Sequence, residues 1–175
     1  AQYFYPQRQT QVMNEGWATF WHHRLLYTLY DDGWLTDGVM IEWLKSHTNV
    51  VYQPKVGDRG YSGLNPYALG FAMYTDIQRI CESPTDEDRA WFPQIAGTPW
   101  LPALHQAMRD YKDESFIGQY LSPKLMRDLR LFAIRDDQSE DELEVSAIHD
   151  EAGYRRLRES LSRQYDLGSR EPNIQ

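Results

Sequence analysis

The residues best suited to chemistry lie in one short string, Met13-Asn14-Glu15-Gly16-Trp17-Ala18. A carboxylate carried on a helix is a hard oxygen donor that can close a metal site or move a proton. The structural alternative for Glu15 is a carboxylate anchored by a nearby Arg or Tyr. His22 follows two turns later on the same side, roughly 10 Å along the helix axis. Both cannot reach one metal directly from that spacing, so His22 is read as a supporting or packed histidine. His23 is rotated by about 100° and points elsewhere. His47, in Ser46-His47-Thr48-Asn49, and His149, in Ile148-His149-Asp150-Glu151, are loop or cap residues. Asn14, His22, His149 and Asp150 are the supporting polar residues for Glu15, and His105 has no suggestive neighbours. Catalytic residues stay unassigned, because no residue pairs position with acid–base chemistry.

Other chemistries lack their signatures. Gly57, Gly60 and Gly63 are not followed by the Lys-Ser/Thr of a phosphate loop, and no Gly-x-Ser-x-Gly elbow occurs. Cys81 follows an apolar helix face and reads as an inert buried thiol. The chain has neither His-x-x-x-His nor His-Glu-x-x-His.

The elements that must position these residues are mainly helices. Residues 10–31 form the longest one, with Met13, Trp17, Phe20, Trp21, Leu25 and Thr28 on one broad side and Glu15, Thr19, His22 and Leu26 on the other. Gly33 ends it. Thr36 or Asp37 caps a second helix carrying Val39, Met40, Ile41, Trp43 and Leu44. Val50-Val51-Tyr52 reads as a short extended piece, and 53–64 as a loop. Asn65-Pro66 starts a helix through Tyr67, Leu69, Phe71, Met73, Tyr74, Ile77 and Ile80, with Gly70 as a close-approach point. Ser83-Pro84 opens a short helix, another covers about 100–111, and Asp113 and Ser122-Pro123 open two more. Leu129 to Asp136 and Leu143 to Ile148 alternate with period two around an acidic connector, the pattern of an antiparallel hairpin. Asp150 caps a last helix bearing Tyr154, Leu157, Leu161 and Tyr165. The expected fold is α+β, predominantly helical, with a small β-hairpin near the C-terminus, in one domain over 1–175.

The chain has 175 residues, enough for one sizeable core, and its 14% aromatic content supplies large buried areas. A net charge of -8 disfavours nucleic acid as a partner, since a nucleic-acid binder needs a basic footprint. No apolar run reaches the roughly 18 residues of a membrane-spanning helix, and no leader pattern opens the chain. A single cysteine fits a reducing compartment, so the expected location is the cytoplasm. The acidic runs at 85–88 and 136–142 read as a solvated helix start and loop. Both ends read as cuts through a longer protein.

The strings AQYFYPQRQTQVMNEGWATFWHH, SHTNVVYQP, NPYALGFAMYTDIQRICE, DESFIGQYLSPKLMRDLRLFAI, ELEVSAIHDEAGYRRLRE and REPNIQ together resemble the SpoVR family, the stage V sporulation protein R-like proteins of bacteria. The resemblance covers nearly the whole chain and implies an internal fragment of a longer protein. It implies an association with spore cortex formation or, in bacteria that do not sporulate, with a stress response. It also implies partners encoded nearby, a serine protein kinase and a von Willebrand-type protein. Separately, Asn14-Glu15-Gly16 with its following aromatic resembles the segment supplying the third zinc ligand of gluzincin metallopeptidases. There, two imidazoles one turn apart grip the metal and the carboxylate closes the site. Two readings follow: an interaction or regulatory protein of unassigned molecular activity, or a metal-dependent hydrolase with Glu15 as a ligand for zinc in the full-length protein.

Overall fold

The computed structural model describes residues 5–54, 59–60, 62–131 and 150–166. Among them run nine helices: α1 Tyr5–Arg8, α2 Gln11–Asp31, α3 Asp37–Val50, α4 Pro66–Glu82, α5 Asp86–Trp91, α6 Trp100–Asp110, α7 Asp113–Tyr120, α8 Pro123–Asp128 and α9 Glu151–Gln164. No strand occurs among the described residues, and none of their helices is long and apolar enough to cross a membrane.

Local chemistry accounts for most helix starts. Thr36, Asn65, Thr85, Ser122 and Asp150 each accept a hydrogen bond from a backbone N–H of the first turn they precede. Thr85 and Asp88 cap α5 reciprocally, so this helix starts at Thr85 rather than at Ser83-Pro84; Ser83 closes α4 instead. The start of α2 differs, because Thr10 makes no side-chain cap bond there. Asp113, at the first position of α7, reaches across and accepts from the Val12 and Met13 N–H groups at 2.9 Å each. One buried carboxylate thus caps a helix a hundred residues away in sequence.

The body is organised around α2 lying on α4. The two backbones meet at Gly16 and Gly70. A methyl group on Gly16 would lie 2.4 Å from Gly70 Cα, and one on Gly70 would lie 2.1 Å from the Val12 carbonyl oxygen. The close-approach role expected for Gly70 therefore holds, with Gly16 as its partner. Around this crossing Met13, Phe20, Met73, Tyr74, Ile77 and Ile80 are fully or nearly fully buried, together with Leu104 of α6, Phe116 and Ile117 of α7 and Met126 of α8. α9 closes the far side against α7 through Leu157 and Leu161. Arg155 and Arg158 both stack on Trp91, which leaves Arg158 half-buried.

A buried polar network ties three elements together beside this core. Arg79 pairs with Asp76 at 2.7 Å and with Asp88 at 2.6 Å, and the Ser122 hydroxyl donates to Asp76 at 2.6 Å. Burial pushes the Asp88 carboxyl up, but the Arg79 guanidinium and the Thr85 donors outweigh it and bring it down to about 2. Each carboxylate is thus matched by donors, as a buried charge requires.

Three further expectations need correction. The α+β class and its hairpin are replaced by an all-helical fold among the described residues. Leu129 caps the end of α8, Arg130 takes a left-handed φ of 52°, and Leu131 sits buried in a following helical turn. The alternation of Leu129 and Leu131 marks two core anchors around a helix end, which mimics a strand period. The rest of the expected hairpin, 132–148, lies outside the described residues, as does His149. Second, Val50 is still helical and Val51 caps α3, so no extended piece begins there. Third, the buried stripe of α2 is Val12, Met13, Gly16, Thr19 and Phe20, whereas Trp17 and Trp21 are half-buried and Leu25 is 57% exposed. The stripe rotates toward Gly16 because backbone contact with α4 requires it.

Two stability outcomes follow from these contacts. Gly16→Ala and Gly70→Ala should each lower unfolding free energy by about 3 kcal/mol or more, because backbone cannot yield to the new methyl group. Gly118→Ala, which meets mainly the Ser162 side chain, should cost far less; denaturant melts of the three variants compare them. Asp113→Ala should cost about 2 kcal/mol by leaving buried N–H groups at the start of α2 without an acceptor. Equal melting of that variant and the parent would refute the long-range cap.

Candidate functional site

Glu15 lies near the start of α2, half-buried, and its carboxylate accepts a hydrogen bond from the Tyr67 hydroxyl of α4. That bond raises the Tyr67 hydroxyl above its ordinary ionisation range. Glu15 faces an open polar cleft of about 480 Å³ that is lined also by Gln7, Arg8, Gln11 and Asn14. The Asn14 amide donates to the Thr10 hydroxyl at 3.0 Å, so Asn14 secures the first turn of α2 rather than orienting Glu15. Gly16 is consumed by the crossing with Gly70. Asn14, Glu15 and Gly16 thus have three separate duties, and of the three only Glu15 brings a carboxylate to the cleft.

A carboxylate bound by one hydroxyl keeps acceptor capacity for a further donor or cation. Among the described residues, no three His, Cys, Asp or Glu side chains come together as a metal-binding group. Glu15 is thus the one carboxylate that the described residues bring to this cleft, with the Tyr67 hydroxyl beside it.

His22 does not meet Glu15. It is exposed, and its ring stands edge-on to Trp43 of α3 at 5.8 Å. A second cleft, of about 300 Å³, opens between α2, α3 and the start of α4, and is lined by Thr19, His22, Trp43, Ser46, His47 and Tyr67 among others. Tyr67 therefore stands in the wall of this cleft while its hydroxyl binds Glu15. Asp150 is an exposed helix cap, accepting from the Gly153 N–H at 2.6 Å, and has no part in either cleft. Cys81 is buried, and burial raises its thiol above the ordinary range, as expected of an inert cysteine.

The grouping that the sequence reading missed is the cluster of His22, His23 and His47. Because α3 continues to Val50, His47 falls one turn after Trp43 on the inner face of the helix. Its ring lies 5.0 Å from that of His23, which turns toward α3 rather than away from the site. Phe71 of α4 lies 5.3 Å from His23 and 5.0 Å from His47. Burial lowers the ionisation of both rings, with His47 and Arg24 adding to the effect at His23 and His22 adding to it at His47. The cluster therefore favours the neutral form of both imidazoles. The spacing Met40, Trp43, Leu44, His47 is a continuous helical stripe and was the available signal.

The chain matches a family model described as "SpoVR like protein" over residues 1–170. A curated relative, the "Uncharacterized protein YcgB" of Escherichia coli (strain K12), is 64% identical over 175 residues, covering all of this chain and 34% of the relative. The chain thus spans about a third of the length of that relative. No solved structure matches it significantly. With this near-complete coverage, the chain belongs to the SpoVR-like family.

Proposed function

We propose that this chain is a helical interaction body within a bacterial SpoVR-like regulatory protein of sporulation or stress response, acting in the cytoplasm. The observation that carries this reading is where apolar surface is left in water. Of the nine large apolar side chains exposed among the described residues, seven fall between Leu25 and Tyr52: Leu25, Tyr27, Trp34, Val39, Ile41, Val50 and Tyr52. Trp34 is 78% exposed and Ile41 66%. α3 already buries Met40 and half-buries Trp43 and Leu44 on its inner face, so a helix apolar on both sides has an outer face suited to a partner. Aromatic and branched side chains at such a face are the groups that dominate binding energy.

The partner that fits this reading is the serine protein kinase whose association the family resemblance implies, with the von Willebrand-type protein as a further member of the assembly. In the full-length protein, Trp34→Ala combined with Ile41→Ser should weaken binding to that kinase by roughly 10-fold or more, measured by calorimetry. Unchanged affinity would sink the reading. Loss of stability in the isolated variant would instead mean that other parts of the same protein cover this face.

A second reading rests on Glu15. Its half-buried carboxylate faces an open cleft with Tyr67 as orienting donor, an arrangement that leaves room for a zinc ion completed by imidazoles outside this chain. Zinc would supply Lewis acidity for hydrolysis, while the chain's own part is to hold one oxygen ligand in place. Under this reading full-length protein carries stoichiometric zinc by metal analysis and loses it with Glu15→Ala, while Tyr67→Phe lowers affinity by about 10-fold. Equal metal content in the parent and Glu15→Ala proteins would remove Glu15 as a ligand.

A further inference from the structure

We propose that His23 and His47 form a pH-sensitive latch that holds α3 against α2 and α4 while both rings are neutral and loosens it when they are protonated. The latch stands on where the rings meet. His23 projects from α2 and His47 from α3, with centroids 5.0 Å apart, and Phe71 of α4 contacts both. Trp43 closes the cluster at 5.5 Å from His23 and 5.1 Å from His47, and Tyr27 lies 4.5 Å from His23. Neither imidazole has a hydrogen-bond partner among the described residues. They are packed as aromatic rings between helices.

α3 has little else to hold it. Met40 is its one buried residue, and Trp43, Leu44 and His47 are half-buried. Its two ends are tethered. The Tyr30 hydroxyl donates to Asp37 at 2.8 Å, and the Asn65 amide donates to the carbonyls of Val50 at 2.8 Å and Tyr52 at 3.1 Å. Loosening the middle would therefore swing the helix between fixed ends without detaching it.

The charges that face the rings oppose protonation. From α2 they are His22 and Arg24, and from α3 and α2 the two rings face each other. From α4 the facing groups are Phe71, which is uncharged, and the Tyr67 hydroxyl, which is engaged with Glu15 two helical turns away from His22. Glu42 and Lys45 lie on the exposed side of α3. No carboxylate is among the groups acting on either ring. The faces of Trp43, Tyr27 and Phe71 can attract one imidazolium. A second positive charge 5.0 Å away, with Arg24 beside it, has nothing to offset its lost hydration.

The sign follows from linkage. Folding favours the neutral rings, so the unfolded or undocked state binds more protons and docking strengthens as pH rises. The contribution is complete above the ordinary histidine value of about 6.5 and is lost as pH falls below it. The test is amide hydrogen exchange on the full-length protein at about pH 7.5 and about pH 5, corrected for the intrinsic pH dependence of exchange. Protection across 37–50 should fall roughly 10-fold or more at the lower pH, with α4 unchanged. In the His23→Phe/His47→Phe variant, α3 should stay protected at both values. If that variant fails to fold, imidazole NMR titration of the parent protein decides the matter, with His23 and His47 expected to titrate below the ordinary histidine value of about 6.5. Constant α3 protection in the parent, an undiminished pH response in the double variant, or ordinary titration of both rings would each overturn the latch. The readout is α3's own exchange, so it is independent of whether a kinase binds the outer face.

Discussion

Everything in this body is arranged around the place where α2 and α4 touch backbone to backbone. Gly16 and Gly70 remove the two side chains that would hold the helices apart, and the carbonyl of Val12 fills part of the space. Such an approach maximises contact between the flanking side chains, which is why Met13, Phe20, Met73 and Tyr74 are sealed from water. It also fixes the rotation of α2 about its axis. With Gly16 turned inward, Glu15 must turn toward Tyr67 and the open cleft.

The start of α2 is equally constrained, since its first N–H groups are satisfied by Asp113 from α7. Burial raises the Asp113 carboxyl against the pull of three backbone donors from Gln11, Val12 and Met13. A charge in that position costs desolvation, and its use there means that α2 and α7 cannot be placed independently. Glu15 is thus mounted on a helix gripped at its N-terminus by one element and along its flank by another, which fixes where its carboxylate stands.

The other end of α2 is built differently. Beyond Phe20 the helix loses its buried stripe, and α3 covers it through rings rather than through a close-packed aliphatic core. That contrast separates an end of α2 packed backbone to backbone and carrying Glu15 from a ring-packed end that leads to the exposed Trp34 and to Ile41 on α3. Regions that bind or switch are drawn from the less stable parts of a fold. The two functional readings therefore occupy different mechanical regimes of one short segment.

Much of this was legible in the residues themselves. Caps such as Thr36, Asn65-Pro66, Ser122 and Asp150 act on neighbours two or three positions away, so helix starts could be read locally. Family strings running the length of the chain identified its kinship. What lay beyond the sequence was whatever depends on distant partners. Asp113 opens α7 as its type suggests, but its side chain caps a different helix. Leu129 and Leu131 imitate a strand because both face a core that the sequence does not display. His23 and His47 are 24 positions apart and become neighbours through the fold of α3 onto α2. Periodicity reports which face of an element is apolar; the angle at which that face meets another is set by packing, and here by two glycines.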